Sequence, residues 1–190
     1  MMRKNIINFL SLLLLISMLF TECNAETLNL KEGFNFVAFN VKPSVSPSQV
    51  LSQNISIDDI YAYNASAGSF ISASEGALTL LNYDKGYIVK TKTSTDVIIT
   101  GEVMVSNEPA IPIKTGFNLV GISRTPVLSK FSDLLNKYCQ IIGMYKWNAA
   151  SGTFIQVLKN NTGEIELLDG VDPALASGQA YFINASEDFE

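Results

Sequence analysis

Apolar and polar positions follow one pattern that occurs twice along the chain. Three blocks of residues in the first half return in the same order in the second half, at offsets of 83, 84 and 94 residues. Matches that keep their order indicate an internal duplication, because chance similarity would not preserve it. The matched ranges are 33–39 with 116–122, 61–71 with 145–155, and 86–89 with 180–183.

The first block of each copy predicts a buried strand. It starts with Gly-Phe-Asn after a Lys-x-Gly turn and continues with side chains that are apolar on both faces, as in a central strand. Short apolar runs at 28–30 and 111–113 lead into the two turns and precede these strands.

A short helix is predicted after the first block of each copy. In copy one, Ser46, Pro47 and Gln49 fit a capping box with proline at the first helical position. In copy two, Ser129 is the predicted cap. Behind it, apolar residues at i, i+3, i+4 and i+7 predict a stripe that faces the sheet; they are Phe131, Leu134, Leu135 and Tyr138.

Hairpins and further strands complete each copy. The Tyr-rich blocks alternate their side chains around a glycine-containing loop and predict β-hairpins, and the third block predicts another strand. Copy one then has a last strand from Val97 through Val105. Copy two carries ten extra residues with Asn-Asn and Asp-Gly turn signals, which predict an inserted loop at about 159–172.

These elements predict an α+β, β-dominated fold of two tandem similar units, each mostly antiparallel sheet with one short helix. The predicted boundaries are 26–106 for repeat unit 1 and 107–190 for repeat unit 2. The units either pack about a pseudo-two-fold relation or lie side by side. With roughly 80 residues each, they are near the lower end of independent folding, so their mutual packing is expected to add stability.

Residues 1–25 predict a cleavable secretory signal peptide. Two basic residues precede an apolar run from Phe9 to Phe20, and the small residue Ala25 ends the region, so we place cleavage after it. The run is shorter than the roughly 20 residues that span a bilayer. We expect no stable membrane span after cleavage and a secreted or cell-surface location. Lipidation of Cys23 is the alternative, although Glu22 stands where a lipobox has a small residue.

Charge and cysteine content narrow the classes of partner. Without residues 1–25 the chain has 11 basic and 17 acidic side chains, a net charge of -6, which disfavours nucleic acid and anionic lipid. Cys139 is then the single cysteine, so no internal disulfide is expected. We predict that Cys139 is a buried small hydrophobe, with an intermolecular disulfide as the alternative.

The Gly-Phe-Asn blocks, the Tyr-rich hairpins and the Gly-Tyr-type blocks resemble a tandem extracellular β repeat of bacterial and archaeal surface or secreted proteins. That repeat has a Gly-Trp-Asn-Leu-type block, Tyr-rich hairpins and a Gly-Tyr-Trp-Val-type block, and the resemblance covers nearly all of 28–185. Phe34 and Phe117 stand in place of its tryptophan, and Ala180 in place of its glycine indicates that copy two has drifted. The resemblance implies a non-catalytic module, an accessory part of envelope proteins.

The residue types disfavour an enzyme. The chain has no histidine, which excludes Ser-His-Asp and Cys-His catalysis and zinc sites built on imidazole. A carboxylate-dependent hydrolase is the remote alternative, because two acidic residues in one cleft suffice for glycoside hydrolysis. The candidate pairs, Asp58 with Asp59 and Asp169 with Asp172, lie in turn-like contexts where a solvated face or an Asx turn explains them.

Four acidic residues of the inserted loop form a candidate calcium site, and calcium is the one cofactor that the sequence suggests. Hard cations take several oxygen ligands, but the spacing of these residues fits no EF-hand loop. The candidate ligands are Glu164, Glu166, Asp169 and Asp172.

Aromatic side chains are the candidate binding residues. Tyr61 and Tyr63 share one strand face, as do Tyr145 and Trp147 in copy two. These rings either form a platform that stacks on a sugar or seats a partner, or they close the core. The favoured function is a secreted or cell-surface structural or adhesive module, with a carbohydrate-binding module as the alternative. The partner is another envelope protein, a glycan or the chain itself.

The duplication also predicts an open sheet edge in copy two. Phe189 corresponds to Thr95, and residues 96–101 have no counterpart. An unpaired edge attracts another strand. The candidate donors are 101–105, 26–30 or a neighbouring molecule, and filling from within the chain is favoured.

Overall fold

The computed structural model describes residues 23–83, 85–103 and 110–190, which contain twelve strands and two helices. Most of the predicted signal peptide and most of the predicted boundary between the units lie outside these residues. The strands are β1 Cys23–Leu30, β2 Gly33–Val37, β3 Val41–Pro43, β4 Ile57–Asn64, β5 Ser69–Ser72, β6 Tyr87–Thr91, β7 Thr95–Val103, β8 Gly116–Ile122, β9 Ile141–Asn148, β10 Thr153–Lys159, β11 Ile165–Leu167 and β12 Gln179–Ala185. The helices are α1 Pro47–Gln53 and α2 Phe131–Lys137.

The predicted β-dominated α+β fold is confirmed. The strands form two antiparallel sheets, a three-stranded one in the order β1-β7-β3 and a nine-stranded one. The larger sheet contains two runs with the same internal order, β2-β6-β4-β5 from the first repeat and β8-β12-β9-β10 from the second. Short strand β11 adds to β10 at one edge. The two tandem units therefore have the same strand order, each with one seven-residue helix.

The hairpins of the two repeats agree residue by residue. Tyr63 pairs with Phe70 in β4–β5, and Trp147 pairs with Phe154 in β9–β10. Both loops end with a glycine at positive φ, 63° at Gly68 and 66° at Gly152. Because this left-handed conformation suits glycine, the two hairpins keep one loop length and one register.

The third residue of each Gly-Phe-Asn block is a buried asparagine with a structural role. The Asn35 side chain accepts a hydrogen bond from the Lys31 N–H at 2.8 Å and donates to the Lys31 carbonyl at 2.7 Å. Asn118 does the same to Lys114, at 2.8 and 2.6 Å. The amide supplies both a donor and an acceptor, so it closes the Lys-x-Gly turn before each central strand.

The tyrosine of the Gly-Tyr-type block is likewise structural. Tyr87 and Tyr181 are almost fully buried, and each hydroxyl accepts a backbone N–H from five residues earlier. The donors are Asn82 at 2.7 Å and Ala176 at 2.9 Å. Each ring belongs to the separate hydrophobic core of its own repeat.

The predicted start of α1 is confirmed and that of α2 is wrong. Ser46 Oγ accepts the N–H of Gln49 at 3.3 Å, and Gln49 Oε1 accepts the N–H of Ser46 at 2.7 Å, which completes the capping box. Helix α2 has Lys130 instead of Ser129 at its N-cap position. The carboxylate of Asp133 accepts both of their N–H groups, which is the role that the Gln49 side chain has in α1.

The two repeats meet about a pseudo-two-fold axis. Lys85 forms an antiparallel bridge with Val120, and the corresponding residues Gln179 and Val37 form the other bridge. Each bridge joins the start of the Gly-Tyr-type strand of one repeat to the central strand of the other. Of the two predicted arrangements, packing about the axis is the one that the structure shows.

Corresponding residues touch each other at this axis. A Cβ on Gly86 would lie 2.7 Å from Cβ of Ala180, and a Cβ on Gly121 would lie 2.8 Å from Cβ of Ala38. In each pair one glycine faces one alanine, since two methyl groups would overlap. Ala180 is therefore better explained by packing at the axis than by drift of the second copy.

The predicted inserted loop and the predicted buried cysteine need correction. Residues 159–172 are not a loop throughout, because β11 pairs with β10 through Ile165 and Lys159. Cys139 is exposed and not buried. It directly follows Tyr138, the C-cap residue of α2, where the chain turns toward β9 on the protein surface.

The predicted filling of the copy-two edge by residues 26–30 or 101–103 is wrong. Strand β1 pairs with β7 along its whole length, from Cys23 with Glu102 to Leu30 with Thr95, so both donors are used within the first repeat. The remaining residues of the second donor, 104 and 105, lie outside the described part of the chain. Ile113 and Phe189 form a bridge that corresponds to the pairing of Leu30 with Thr95.

Candidate functional site

Strand alternation places an aromatic layer on one face of the nine-stranded sheet. In β2, Asn35 and Val37 are buried toward the core, while Phe34 and Phe36 lie on the opposite face. The same alternation holds in the neighbouring strands. The ten members of this layer are Phe34, Phe36, Tyr61, Tyr63, Phe70, Phe117, Tyr145, Trp147, Phe154 and Phe182.

Ring contacts join the two repeats across this layer. Phe36 of the first repeat stacks on Trp147 of the second, with centroids 5.6 Å apart and an interplanar angle of 27°. Phe182 lies near the centre and meets Tyr63 at 5.4 Å and Phe36 at 5.8 Å, edge to face. The Trp147 Nε1–H donates to the Phe34 carbonyl at 2.7 Å, which fixes the indole.

Two depressions open in the aromatic layer. The first has a volume of about 420 Å³ and the second of about 340 Å³. They correspond to each other through the pseudo-two-fold axis, and each combines one repeat's sheet with an aromatic ring from the other repeat's hairpin. The first is lined by Phe34, Phe36, Tyr61, Phe70, Ile88, Trp147, Phe154 and Phe182, and the second by Tyr63, Phe117, Tyr145, Phe154, Gln156 and Phe182.

Three phenylalanines of the layer are open to solvent. Phe34 is 43% exposed, Phe70 52% and Phe117 44%. Large apolar side chains that are contiguous and exposed mark an interaction surface more often than isolated ones do. The tyrosines are less accessible, and burial raises the pKa of the hydroxyl of Tyr145 and, together with the nearby carboxylate of Asp59, that of Tyr61.

The structure brings the four predicted aromatic residues together. Tyr61, Tyr63, Tyr145 and Trp147 all belong to the layer. They also pack against the return strands, as Tyr63 does on Phe70 at 5.1 Å. The phenylalanines of the layer were not among the predicted binding residues, although the period of two along each strand places them on the same face.

The candidate carboxylate pair Asp58 and Asp59 is divided between two structural roles. Asp58 forms ion pairs with Lys90 and Lys92, at 3.4 and 3.6 Å. Asp59 is buried and accepts hydrogen bonds from the hydroxyl groups of two serines and from two backbone N–H groups. Burial opposes its ionisation, but these hydrogen bonds outweigh it and lower the pKa of Asp59. The hydrogen-bond donors are Ser72 Oγ at 2.5 Å, Ser74 Oγ at 2.7 Å, Ile60 N at 2.7 Å and Ser74 N at 3.0 Å.

The four candidate calcium ligands are not assembled into one site. Glu164 and Glu166 both accept from the Asn160 amide, at 3.3 and 3.1 Å. Asp169 accepts the N–H of Gln156, whereas Asp172 accepts the N–H and hydroxyl of a serine in α2, Ser132. Among the described residues, no three acidic or cysteine side chains are placed to hold a metal ion.

Comparison with known proteins gives no indication of what the site binds. No family model, no curated protein and no solved structure matches the chain. In the part of the chain that the structure describes, no helix has the length and apolar character needed to cross a membrane.

Proposed function

We propose that this protein is a secreted or cell-surface, non-catalytic adhesive module that binds an apolar surface of a partner protein through its aromatic layer. The observation that carries the proposal is the continuous face of rings with three outward phenylalanines. Burying one such side chain contributes about 1.5–3 kcal/mol, so a few of them suffice for a specific contact.

The arrangement of the rings favours a protein surface over a flat glycan on this face. Most ring pairs around Phe182 meet edge to face, including Phe117 at 83° and Tyr63 at 89°, so they do not form one plane. Apart from the amide of Gln156 and three tyrosine hydroxyl groups, the two depressions are lined by apolar ring surface and one isoleucine, whereas sugars need several hydrogen-bonding groups close together. An apolar side chain matches such a lining better.

The acidic residues support the non-catalytic part of the proposal. Each member of the two candidate carboxylate pairs already serves as an acceptor or ion-pair partner within the fold. Asp59 holds the end of the β4–β5 hairpin, and Asp172 holds the start of α2. A structural role accounts for both without a substrate.

The test is adsorption of the purified protein to an alkyl-coated sensor, an apolar surface of defined chemistry. We expect the triple substitution Phe34→Ser, Phe70→Ser and Phe117→Ser to weaken adsorption about tenfold or more. The matched control is Ile55→Ser, because Ile55 is 88% exposed and lies outside the layer. Unchanged adsorption of the triple variant, or an equal loss in the control, would contradict the proposal; thermal unfolding checks that both variants fold.

Carbohydrate binding remains the alternative function, and one observation favours it at a different place. Trp147 belongs to the aromatic layer and also lines a polar cleft between the repeats. That cleft is lined by charged and amide side chains, unlike the aromatic layer.

A further inference from the structure

Two clefts lie between the repeats, related by the pseudo-two-fold axis. The first cleft, of about 370 Å³, lies between β1 of the first repeat and the β9–β10 hairpin of the second. The second cleft, of about 390 Å³, lies between residues 111–114 and the β4–β5 hairpin. Corresponding residues line them, such as Asn35 and Asn118, and both volumes are in the range of small-ligand sites.

The lining of the first cleft is rich in hydrogen-bonding side chains of mixed character. Glu26 supplies a carboxylate, Lys146 an ammonium group, and Asn40 and Gln179 supply amides, while Trp147 supplies an aromatic wall. No ion pair of Lys146 occurs among the described residues. One negative and one positive group balance each other, which favours a neutral ligand that offers both donors and acceptors.

The carboxylate of Glu26 is incompletely satisfied. Its Oε2 accepts the N–H of Asn40 at 2.9 Å, whereas its buried Oε1 forms no hydrogen bond of standard geometry with the described residues. Burial raises the pKa of this carboxyl group, although the backbone N–H groups of Asn40 and Val41 oppose the shift. A buried acceptor without a partner requires an explanation, and a hydroxyl donor from a ligand would supply one.

The second cleft shows that the fold does not require a lysine at position 146. Ala62 stands where the first cleft has Lys146, and the second cleft also presents Leu78 and Leu80, which are apolar. Gln179 has a role in the fold as well, because its Oε1 accepts the Tyr181 hydroxyl at 3.1 Å. Since both repeats keep the same strand order, the ammonium group of Lys146 is free of the demands of the fold.

We infer that the first cleft binds a monosaccharide unit, with Glu26, Lys146 and Gln179 hydrogen-bonded to its hydroxyl groups and Trp147 against its ring. Sugar hydroxyls donate to the carboxylate and accept from the ammonium and amide groups, and the apolar C–H face of the ring suits an indole. This inference rests on the cleft alone and is independent of the proposed adhesion through the aromatic layer.

The test uses Trp147 as a reporter, because it is the single tryptophan of the chain. Glucose, galactose, mannose and N-acetylglucosamine are titrated separately into the purified protein, with calorimetry in parallel. We expect a saturable response to at least one of them, with Kd of about a millimolar or tighter, typical of a site built on few hydrogen bonds. No saturable emission change and no heat with all four sugars would overturn the inference.

Substitutions based on the second cleft provide the matched controls. Lys146→Ala installs the residue that the second cleft has, so the fold should tolerate it, and it should weaken sugar binding about tenfold. Leu80→Ser changes the second cleft at a side chain that is 67% exposed and should leave sugar binding unchanged. Equal effects of Lys146→Ala and Leu80→Ser would refute the assignment to the first cleft. The Phe70→Ser change should retain the sugar response, which separates this inference from the proposed adhesion.

Discussion

The two repeats have the same strand order but differ in the side chains at the open end of their hairpins. These are polar and hydrogen-bonded in the first repeat and apolar in the second. In the first repeat the buried Asp59 accepts hydrogen bonds from Ser72 and Ser74. In the second, Gly143 and Leu158 stand at the positions of Asp59 and Ser74, and a Cβ on Gly143 would lie 2.7 Å from Cδ2 of Leu158. A charged network and an apolar side chain thus occupy equivalent places in one fold.

The comparison separates what the fold requires from what it tolerates. The turn-closing asparagines, Asn35 and Asn118, keep both their identity and their hydrogen bonds in the two repeats. The hairpin ends do not. A buried carboxylate in this protein is therefore one of two solutions to a packing problem, and its presence alone does not indicate catalysis.

The largest loss of stability is expected from replacing the glycine at the axis in the second repeat by a larger residue. A Cβ on Gly121 would lie 2.4 Å from the carbonyl oxygen of Lys85, a backbone atom that cannot rotate away. Gly121→Ala should lower the free energy of unfolding by about 3 kcal/mol or more, measured by urea denaturation. Because Ala38 is only the third-nearest contact, adding Ala38→Gly should not restore stability; a full rescue would contradict this account.

The same change in the first repeat sharpens the contrast. A Cβ on Gly86 would meet Cβ of Ala180 at 2.7 Å and the Leu119 side chain at 2.8 Å, both side-chain atoms. Gly86→Ala should therefore cost less than Gly121→Ala, and Ala180→Gly in the same chain should recover part of the loss, because the contact with Leu119 remains. If the double variant is no more stable than Gly86→Ala alone, the two residues do not meet as the structure shows.

A smaller effect is expected at the hairpin end. Asp59→Gly removes a buried acceptor from two serines and two N–H groups, so we expect a loss of about 2–3 kcal/mol in urea denaturation. Adding Ser74→Leu reproduces the residues of the second repeat and should recover part of the lost stability. The control Asp58→Gly breaks only half-exposed ion pairs and should cost about 1 kcal/mol or less. Equal losses at both aspartates would show that the glycine backbone, and not the network, is responsible.

The smallest effect concerns the turn that follows the Gly-Tyr-type strand of each repeat. Asp188 accepts the N–H of Thr115 at 2.8 Å and pairs with Lys114, which lowers its pKa to about 2, whereas Ser94 accepts the corresponding N–H of Glu32 at 3.3 Å. A depressed carboxyl pKa adds stability above the ordinary value near 4 that is lost as the pH falls toward 2.

Asp188→Asn should therefore lower Tm at pH 7, and the difference from the parent protein should shrink below pH 4. Ser94→Ala, the matched change in the first repeat, should give a difference in Tm that does not vary over this range, because serine does not titrate there. A constant difference for Asp188→Asn between pH 7 and pH 2 would show that the charge of the carboxylate does not stabilise this turn.

Local features were predictable from the sequence, and long-range docking was not. The capping box at Ser46 and the hairpin loops ending at Gly68 and Gly152 depend on residues a few positions apart, so their signals lie in short windows. The pairing of β1 with β7 and the contacts at the axis join residues more than 30 positions apart, and no local pattern encodes them.

In the candidate site, too, the local features were predictable and the long-range contacts were not. Alternation along β4 and β9 placed Tyr61 with Tyr63 and Tyr145 with Trp147 on shared faces, which the structure bears out. That the two pairs form one layer depends on how the repeats meet. The polar cleft arises from the same contact and could not be foreseen, because Glu26 and Lys146 belong to different repeats.

Because one glycine faces one alanine in each pair at the axis, two identical copies of either repeat could not pack together in this arrangement. Two copies of the first repeat in this arrangement would place Ala38 against Ala38, and two copies of the second would place Ala180 against Ala180. A symmetric ancestor of identical halves would have been restricted to glycine at both positions. Joining the halves in one polypeptide removed that restriction, so each could specialise, and the present protein behaves as an obligate heterodimer contained in a single chain.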